Sequence, residues 1–277
     1  MKITKASGET ETFERQKLCD SLARAGAPDD IVKRVCRVVE KQLAFGMSTK
    51  EIYERTLTEL QKQSPVLAAK YSLKQAIMDL GPAGFLFEKY IAAVLEEYGY
   101  HTKTNQIMRG ECVPHEVDVL AYTKDTHYII EAKYHNRNGI KSDVQTAMYL
   151  FARLLDIGEN QRKKEGSGAQ HEAWLVTNTK FTSRAVSYAT CKGMKMTGWR
   201  YPKKESLERL IEAKALYPIT ILPSVNKYAR EGFAKHNLYF AKDLIHFTPA
   251  QFNNLFGIHK NKAQQIQAEA AVLCEQL

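Results

Sequence analysis

Three consecutive stretches constrain this chain more than any other. They are His115-Glu116-Val117-Asp118-Val119-Leu120-Ala121-Tyr122, a polar break Thr123-Lys124-Asp125-Thr126, and His127-Tyr128-Ile129-Ile130-Glu131-Ala132-Lys133. Alternating residues on both sides of a tight polar turn spell a β-hairpin. With the turn centred between Lys124 and Asp125, the numbers of cross-strand partners sum to 249, so Asp118 faces Glu131 and Glu116 faces Lys133. Side chains alternate between the faces of a strand, which leaves Val117, Val119, Ala121, Tyr128, Ile130 and Ala132 on an apolar side. Two carboxylates opposed across a hairpin repel one another, and a divalent cation between them would relieve that repulsion. The competing interpretation is a solvated strand face, the usual meaning of an isolated Glu-x-Lys. Against it, Ile129, Ile130 and Ala132 mark a central strand, where an idle carboxylate is costly.

Composition sets the frame around this hairpin. A length of 277 residues accommodates two or three domains. No window approaches the run of apolar residues that a membrane span requires, and Met1-Lys2-Ile3-Thr4-Lys5 lacks the apolar core of a signal peptide. Cys19, Cys36, Cys112, Cys191 and Cys274 are scattered without a CxxC pair. That pattern speaks against structural zinc and a disulfide framework, and points to a reducing cytoplasm. The net charge of +9 is spread evenly along the chain and suits a polyanionic partner, although charge alone equally suits a basic protein that binds no nucleic acid.

Periodicity divides the chain into three segments: 1–82, 83–200 and 201–277. The first opens with short strands at Lys2–Lys5 and Glu11–Phe13, followed by helices over Arg15–Ala25, Asp29–Phe45, Thr49–Gln63 and Pro65–Leu80. Ser48 or Thr49 caps the third helix with Glu51 near its positive end, and Gly81-Pro82 stops the segment. The second reads as helix Phe85–Tyr98, three strands, helix Lys141–Leu155, strand Ala173–Thr177, helix Ser183–Lys192 and short strand Lys195–Trp199, with a flexible loop at Asn160–Gln170. This is an α/β order around a central mixed sheet. The third consists of short helices punctuated by Pro218, Pro223, Pro249 and Gly257, with a weak internal duplication.

Residues 83–200 resemble the PD-(D/E)xK nuclease superfamily, in particular the Mrr-like restriction endonucleases and archaeal-type Holliday junction resolvases. The resemblance is carried by Asp118 and Glu131-Ala132-Lys133, with Gly84-Phe85-Leu86-Phe87-Glu88 and Tyr98-Gly99-Tyr100 matching the first helix of that family. His115-Glu116-Val117 stands where a Pro or Gly often precedes the aspartate. The resemblance implies an αβββαβ core that hydrolyses phosphodiesters with Mg²⁺ or Mn²⁺. Such a reaction needs an activated water and relief of phosphate charge, both of which a hard cation held by carboxylates supplies. Asp118 and Glu131 would be its ligands and Glu88 would add a third. Lys133, roughly 6–7 Å beyond Glu131 on the same face, would stabilise developing charge. Gln145 matches a polar position near the phosphate. His115 and Glu116 are ordinary edge residues on this reading, and Tyr134, His135 and Arg137 shape the exit of the strand or touch substrate rather than carry protons.

Residues 3–80 resemble the ATP-cone, a nucleotide-binding regulatory domain. Ile3-Thr4-Lys5-Ala6-Ser7-Gly8, Phe13-Glu14-Arg15-Gln16-Lys17-Leu18 and Ala68-Ala69-Lys70-Tyr71 match its motifs, with Ala6 and Ser7 replacing the usual Arg and Asp. Lys5 and Lys17 would meet the phosphates of ATP or dATP. No phosphate-binding P-loop is present, so nucleotide would be sensed rather than hydrolysed. In the tail, Leu255-Phe256-Gly257-Ile258-His259-Lys260-Asn261-Lys262 resembles a helix-hairpin-helix DNA-binding element in which His259 replaces the second glycine. Gly257, His259, Lys260 and Lys262 would contact DNA phosphates.

Together these features describe an α/β (α+β) multidomain protein with a small, mostly helical cone, a restriction-endonuclease-like core and an all-α C-terminal domain. The expected activity is a cytoplasmic, metal-dependent DNA endonuclease regulated by ATP or dATP, acting in restriction or defence as a homodimer or higher homo-oligomer. Two alternatives remain: a structure-specific repair nuclease of the junction-resolving kind, and a non-catalytic nucleotide-sensing DNA-binding regulator.

Overall fold

A computed structural model describes residues 1–5, 8–81, 84–137, 139–165 and 170–274, with the backbone alone described for 161–165. Ala6, Ser7 and Pro82, together with the end of the expected 160–170 loop, lie outside the described residues. The chain divides into two compact units, one of residues 1–75, 221–225 and 244–277, the other of residues 76–220 and 226–243. The segment read as 201–277 is thus shared between them. Eleven α-helices and a central mixed sheet occur among the described residues, an α+β architecture.

In the first unit, β1 (Lys2–Thr4) pairs antiparallel with β2 (Thr10–Thr12), placing Ile3 opposite Glu11. Helices α1 (Arg15–Arg24), α2 (Asp29–Lys41), α3 (Thr49–Gln63) and α4 (Pro65–Met78) follow. Their apolar stripes close a core of Ile3, Leu18, Leu22, Val35, Val39, Ile52 and Leu60. Ser48 and Glu51 form the anticipated cap of α3, with the Glu51 N–H donating to Ser48 Oγ and the Ser48 N–H to Glu51 Oε2. Helix α2 stops at Lys41, four residues before the expected Phe45. The reason is that residues 46–48 run beside β1: the Thr4 N–H donates to the Met47 carbonyl and the Gly46 N–H to the Lys2 carbonyl. A second correction concerns cysteine. Cys19 on α1 and Cys36 on α2 form a disulfide with their Cα atoms 6.0 Å apart. Scattered spacing gave no hint of it, because only the packing of the two helices brings the pair together.

The second unit opens with α5 (Phe85–Glu97) and continues through β3 (His101–Arg109), β4 (Pro114–Tyr122) and β5 (Thr126–Lys133). Next come β6 (Lys141–Ser142), α6 (Val144–Glu165), β7 (Gln170–Thr177), β8 (Lys180–Phe181), α7 (Ser183–Cys191) and β9 (Lys195–Thr197). The sheet order is β3-β4-β5-β7-β9, antiparallel from β3 to β5 and parallel from β5 to β9. Helix α6 differs from expectation at both ends. Lys141–Ser142 is taken into a parallel pair with Lys180–Phe181, and the Asp143 carboxylate caps the helix start by accepting the Thr146 N–H. At the far end α6 runs on to Glu165, through half of the stretch read as a loop. Gln, Arg, Lys and Glu there are good helix formers, and composition alone concealed this.

Segments from the expected tail complete this unit: α8 (Leu207–Ala213) and α9 (Lys227–Lys235). Tyr90 of α5 and Tyr98, the residue that follows the helix, donate their hydroxyls to the Leu216 and Leu210 carbonyls, at 2.5 and 2.9 Å. In the first unit, α10 (Pro249–Phe256) carries a Thr248–Gln251 capping box with proline in its first turn. Gly257, at φ 65°, turns the chain through the left-handed region. Ile258 is buried, and α11 (Lys260–Cys274) follows.

Candidate active site on the central hairpin

The hairpin pairs Tyr122 with His127, Ala121 with Tyr128, Leu120 with Ile129 and Val119 with Ile130, the register that alternation predicts. At the next step toward the open end, Asp118 Oδ2 accepts the Ala132 N–H at 2.8 Å. A side-chain oxygen thus stands where a backbone acceptor would close the ladder, which holds the carboxylate half-buried against the facing strand. Val117, Val119, Ala121, Ile130 and Ala132 are buried, so the carboxylates are carried by strands in the middle of the fold.

Glu131 sits on β5 with Oε2 held at 2.8 Å by Nη1 of Arg153 from α6. Helix α5 brings in Glu88, whose acid is raised to about 7, first by burial and then by the negative charges of Asp118, Glu116 and Glu131. Asp118 is raised to about 6, by burial and then by Glu131, against the opposing pull of the Ala132 N–H and Arg153. Glu88 and Asp118 thus each feel the negative charge of Glu131 and Glu116. Lys133, two residues beyond Glu131, is exposed.

The strand exit is fixed in place. The His135 N–H donates to Asn178 Oδ1, and Asn178 Nδ2 donates back to the His135 carbonyl. Tyr134 donates its hydroxyl to the Met78 carbonyl, and its ring packs against Phe87. Tyr134 thus holds the Met78 backbone, while the His135 backbone is itself held by Asn178 and its ring meets Ser142 Oγ.

Asp118 and Glu131 thus lie on adjacent strands, and Glu88 feels the charge of both. Gln145 is exposed on the first turn of α6, one turn before the exposed Tyr149 and two before the buried Arg153. Arg153 and the participation of Glu116 were missed. The available signal for Arg153 was an arginine at a core-facing position of α6, among Ala147, Leu150 and Ile157. Among the described residues no three His, Cys, Asp or Glu side chains form a group able to hold a metal ion. In this arrangement Glu131 is turned to Arg153 and Asp118 to the Ala132 amide.

In the first unit, Lys5 and Lys17 converge on one carboxylate. Glu11 Oε2 lies 3.1 Å from Lys5 Nζ and 3.7 Å from Lys17 Nζ, while Lys17 also meets Glu14 at 2.8 Å. The two lysines hold the Glu11 acid below its usual range. Gly257, His259, Lys260 and Lys262 are all exposed where α10 turns into α11. None of the described helices is long and apolar enough to cross a membrane.

Sheet, site and cone define a class: an α+β protein with a nucleotide-sensing type of domain at its N-terminus. Residues 1–79 match the ATP cone domain model, and residues 217–274 match the model described as AF1548-like, C-terminal. An uncharacterized protein of Archaeoglobus fulgidus is 40% identical over 180 residues, which span 65% of this chain and 97% of that protein. A crystal structure titled as a protein of unknown function, AF1548, superposes with a TM-score of 0.59 at 38% identity, covering 69% of this chain and 98% of the other. The chain belongs to the AF1548-like family, and its N-terminal ATP cone points to regulation by a nucleotide.

Proposed function

We propose that this protein is a metal-dependent DNA endonuclease whose activity or assembly responds to ATP or dATP bound by the cone. The observation that supports this reading is the placement of Asp118 and Glu131 on adjacent strands of the central hairpin, with Glu88 of α5 near enough to feel both charges and Lys133 exposed two residues beyond Glu131. The donor set suits a hard divalent cation, Mg²⁺ or Mn²⁺. Its oxygens are carboxylate, and the Glu88 and Asp118 acids are raised first by burial and then by neighbouring negative charge, which a bound cation would offset. Asp118, Glu131 and Glu88 would hold the ion, which when bound would neutralise phosphate charge and acidify water. Lys133 would meet the phosphate and stabilise the charge that develops as the bond breaks. Gln145, on the exposed face of α6, would orient the same group.

Lys5 and Lys17 would bind the nucleotide phosphates, and Gly257, His259, Lys260 and Lys262 the DNA backbone. In this scheme residues 1–82, 83–200 and 201–277 are the sensing, cutting and docking segments. Cleavage of both strands calls for two copies of the site, hence a homodimer or higher homo-oligomer. Restriction of foreign DNA is the setting we favour over junction repair, and a panel of linear, methylated, single-stranded and branched DNA separates the two. Cleavage assays with and without Mg²⁺ and ATP, on wild type and D118A, test the core claim. Equal cleavage by D118A removes it.

One observation favours a second reading. Glu131 already has a cationic partner in Arg153, as befits a non-catalytic, nucleotide-sensing DNA-binding regulator. Metal-independent DNA binding without cleavage under all conditions would establish it.

A further inference from the structure

Arg153 occupies an unusual setting for an arginine. Its side chain is 8% exposed, on the face of α6 that carries Ala147, Leu150 and Ile157 into the core. Nη1 donates to Glu131 Oε2 at 2.8 Å. The ring of Tyr149, one turn earlier, lies 4.9 Å from the guanidinium carbon. Nε is buried with no hydrogen-bond partner among the described residues. A guanidinium offers five donors in a fixed fork, and an orphaned buried donor carries a desolvation penalty. A buried ion pair of this incomplete kind contributes little net stability compared with apolar packing, so stability alone is a poor account of the residue. Glu131 is also the carboxylate on which the proposed cation depends. Guanidinium and cation therefore contend for the same group.

We propose that Arg153 is the resting counter-ion of Glu131, which a divalent cation must displace, so that Arg153 sets the metal affinity of the site. This rests on the metal-dependent reading given above. Two cations at one carboxylate oxygen repel strongly in a partly buried setting, so occupancy by one weakens the other. A neutral residue at position 153 removes that competition and leaves Glu131 without its partner. The variant then gains affinity for a cation as it loses stability in the cation's absence.

The test is calorimetric titration of the full-length chain with Mn²⁺ at neutral pH, without DNA or nucleotide. It compares wild type, R153Q and R153M, each alone and combined with D118N. Both Arg153 substitutions are expected to tighten Mn²⁺ binding about tenfold, and D118N to remove the gain. Thermal melts supply a second readout, in which Mn²⁺ raises the midpoint of R153Q more than that of wild type. Should R153M fail to fold, R153Q carries the test, since its polar amide removes the charge while keeping hydrogen-bonding capacity at the site. Equal or weaker Mn²⁺ binding in the Arg153 variants, with wild-type binding still sensitive to D118N, overturns the proposal alone and makes Arg153 a positioning residue for Glu131. Binding that ignores D118N, or no binding in any variant, overturns the metal-dependent reading and the proposal with it.

Discussion

His115 on β4 and Asp156 on α6 meet at 2.6 Å, Nε2 to Oδ2, across 41 residues of chain. The same carboxylate accepts the Cys112 and Val113 N–H groups, at 2.8 and 3.3 Å. It thereby fastens the turn between β3 and β4 to the helix. The approach is close: a Cβ on Gly110 would stand 2.0 Å from Asp156 Oδ2, so only glycine admits the clamp. Because β4 carries Asp118 three residues beyond His115, this contact helps to fix the position of the acid cluster.

From it follows a prediction about acid. The Cys112 amide and then His115 hold the Asp156 acid down to about 2. A depressed carboxylate adds stability that is complete well above its unfolded value of about 4 and is lost as pH falls toward 2. D156N should therefore unfold at lower urea than wild type at pH 7, and the gap should narrow steadily between pH 4 and pH 3. Urea midpoints across that range are the measurement, and a gap independent of pH would show that the charge on Asp156 is immaterial.

The hairpin was legible because its signal is local: strict alternation fixes which side chains share a face, and the turn fixes the register at Val119–Ile130. Glu88 was legible only through family resemblance, since α5 is distant in sequence from the strands it covers. Arg153 and the His115–Asp156 clamp were not. Their partners lie 22 and 41 residues away and meet only after α6 docks on the sheet. The Cys19–Cys36 link was hidden for the same reason. The division of the tail was hidden too, because the bonds that draw 201–220 into the second unit, such as Tyr90 to Leu216, span 126 residues.

A second prediction concerns Glu88 and Asp118, whose acids are raised to about 7 and about 6. A raised carboxylate binds its proton more tightly in the fold than in the unfolded chain, so its ionisation opposes folding. Stability in the presence of chelator should fall as pH climbs from about 4 through 7. E88Q, which removes the group with the higher value, should flatten that slope and raise the melting midpoint at pH 8. Thermal melts of the two proteins at pH 5 and pH 8 decide the matter, and parallel slopes would show that Glu88 does not carry the burden.

A third concerns the cone. Lys5 and Lys17 share Glu11 between them, which places two ammonium groups around one oxygen-bearing anion. Triphosphate oxygens would replace that carboxylate. Losing one charged hydrogen bond should weaken ATP or dATP binding by roughly tenfold or more, so K5A and K17A are each expected to do so in calorimetry. Their exposed ion pairs contribute little to folding, and melting midpoints should stay close to wild type. Unchanged nucleotide affinity in both variants would move the binding site away from this pair.

The turn after α10 gives the last prediction. Gly257, with φ at 65°, ends the helix in a conformation that disfavours side chains, and Ile258 anchors the turn by burial. His259, Lys260 and Lys262 are left exposed at the first turn of α11, where unpaired backbone N–H groups favour phosphate. If this turn meets the DNA backbone, each lysine should release about one counterion on binding. The K260A/K262A double variant should then weaken binding to every duplex alike and lower the slope of log affinity against log salt by about two. Fluorescence anisotropy over a series of salt concentrations, on two unrelated duplexes, measures both effects. A slope equal to wild type would place the DNA contact elsewhere, and a loss confined to one duplex would mean that these lysines read bases rather than phosphates.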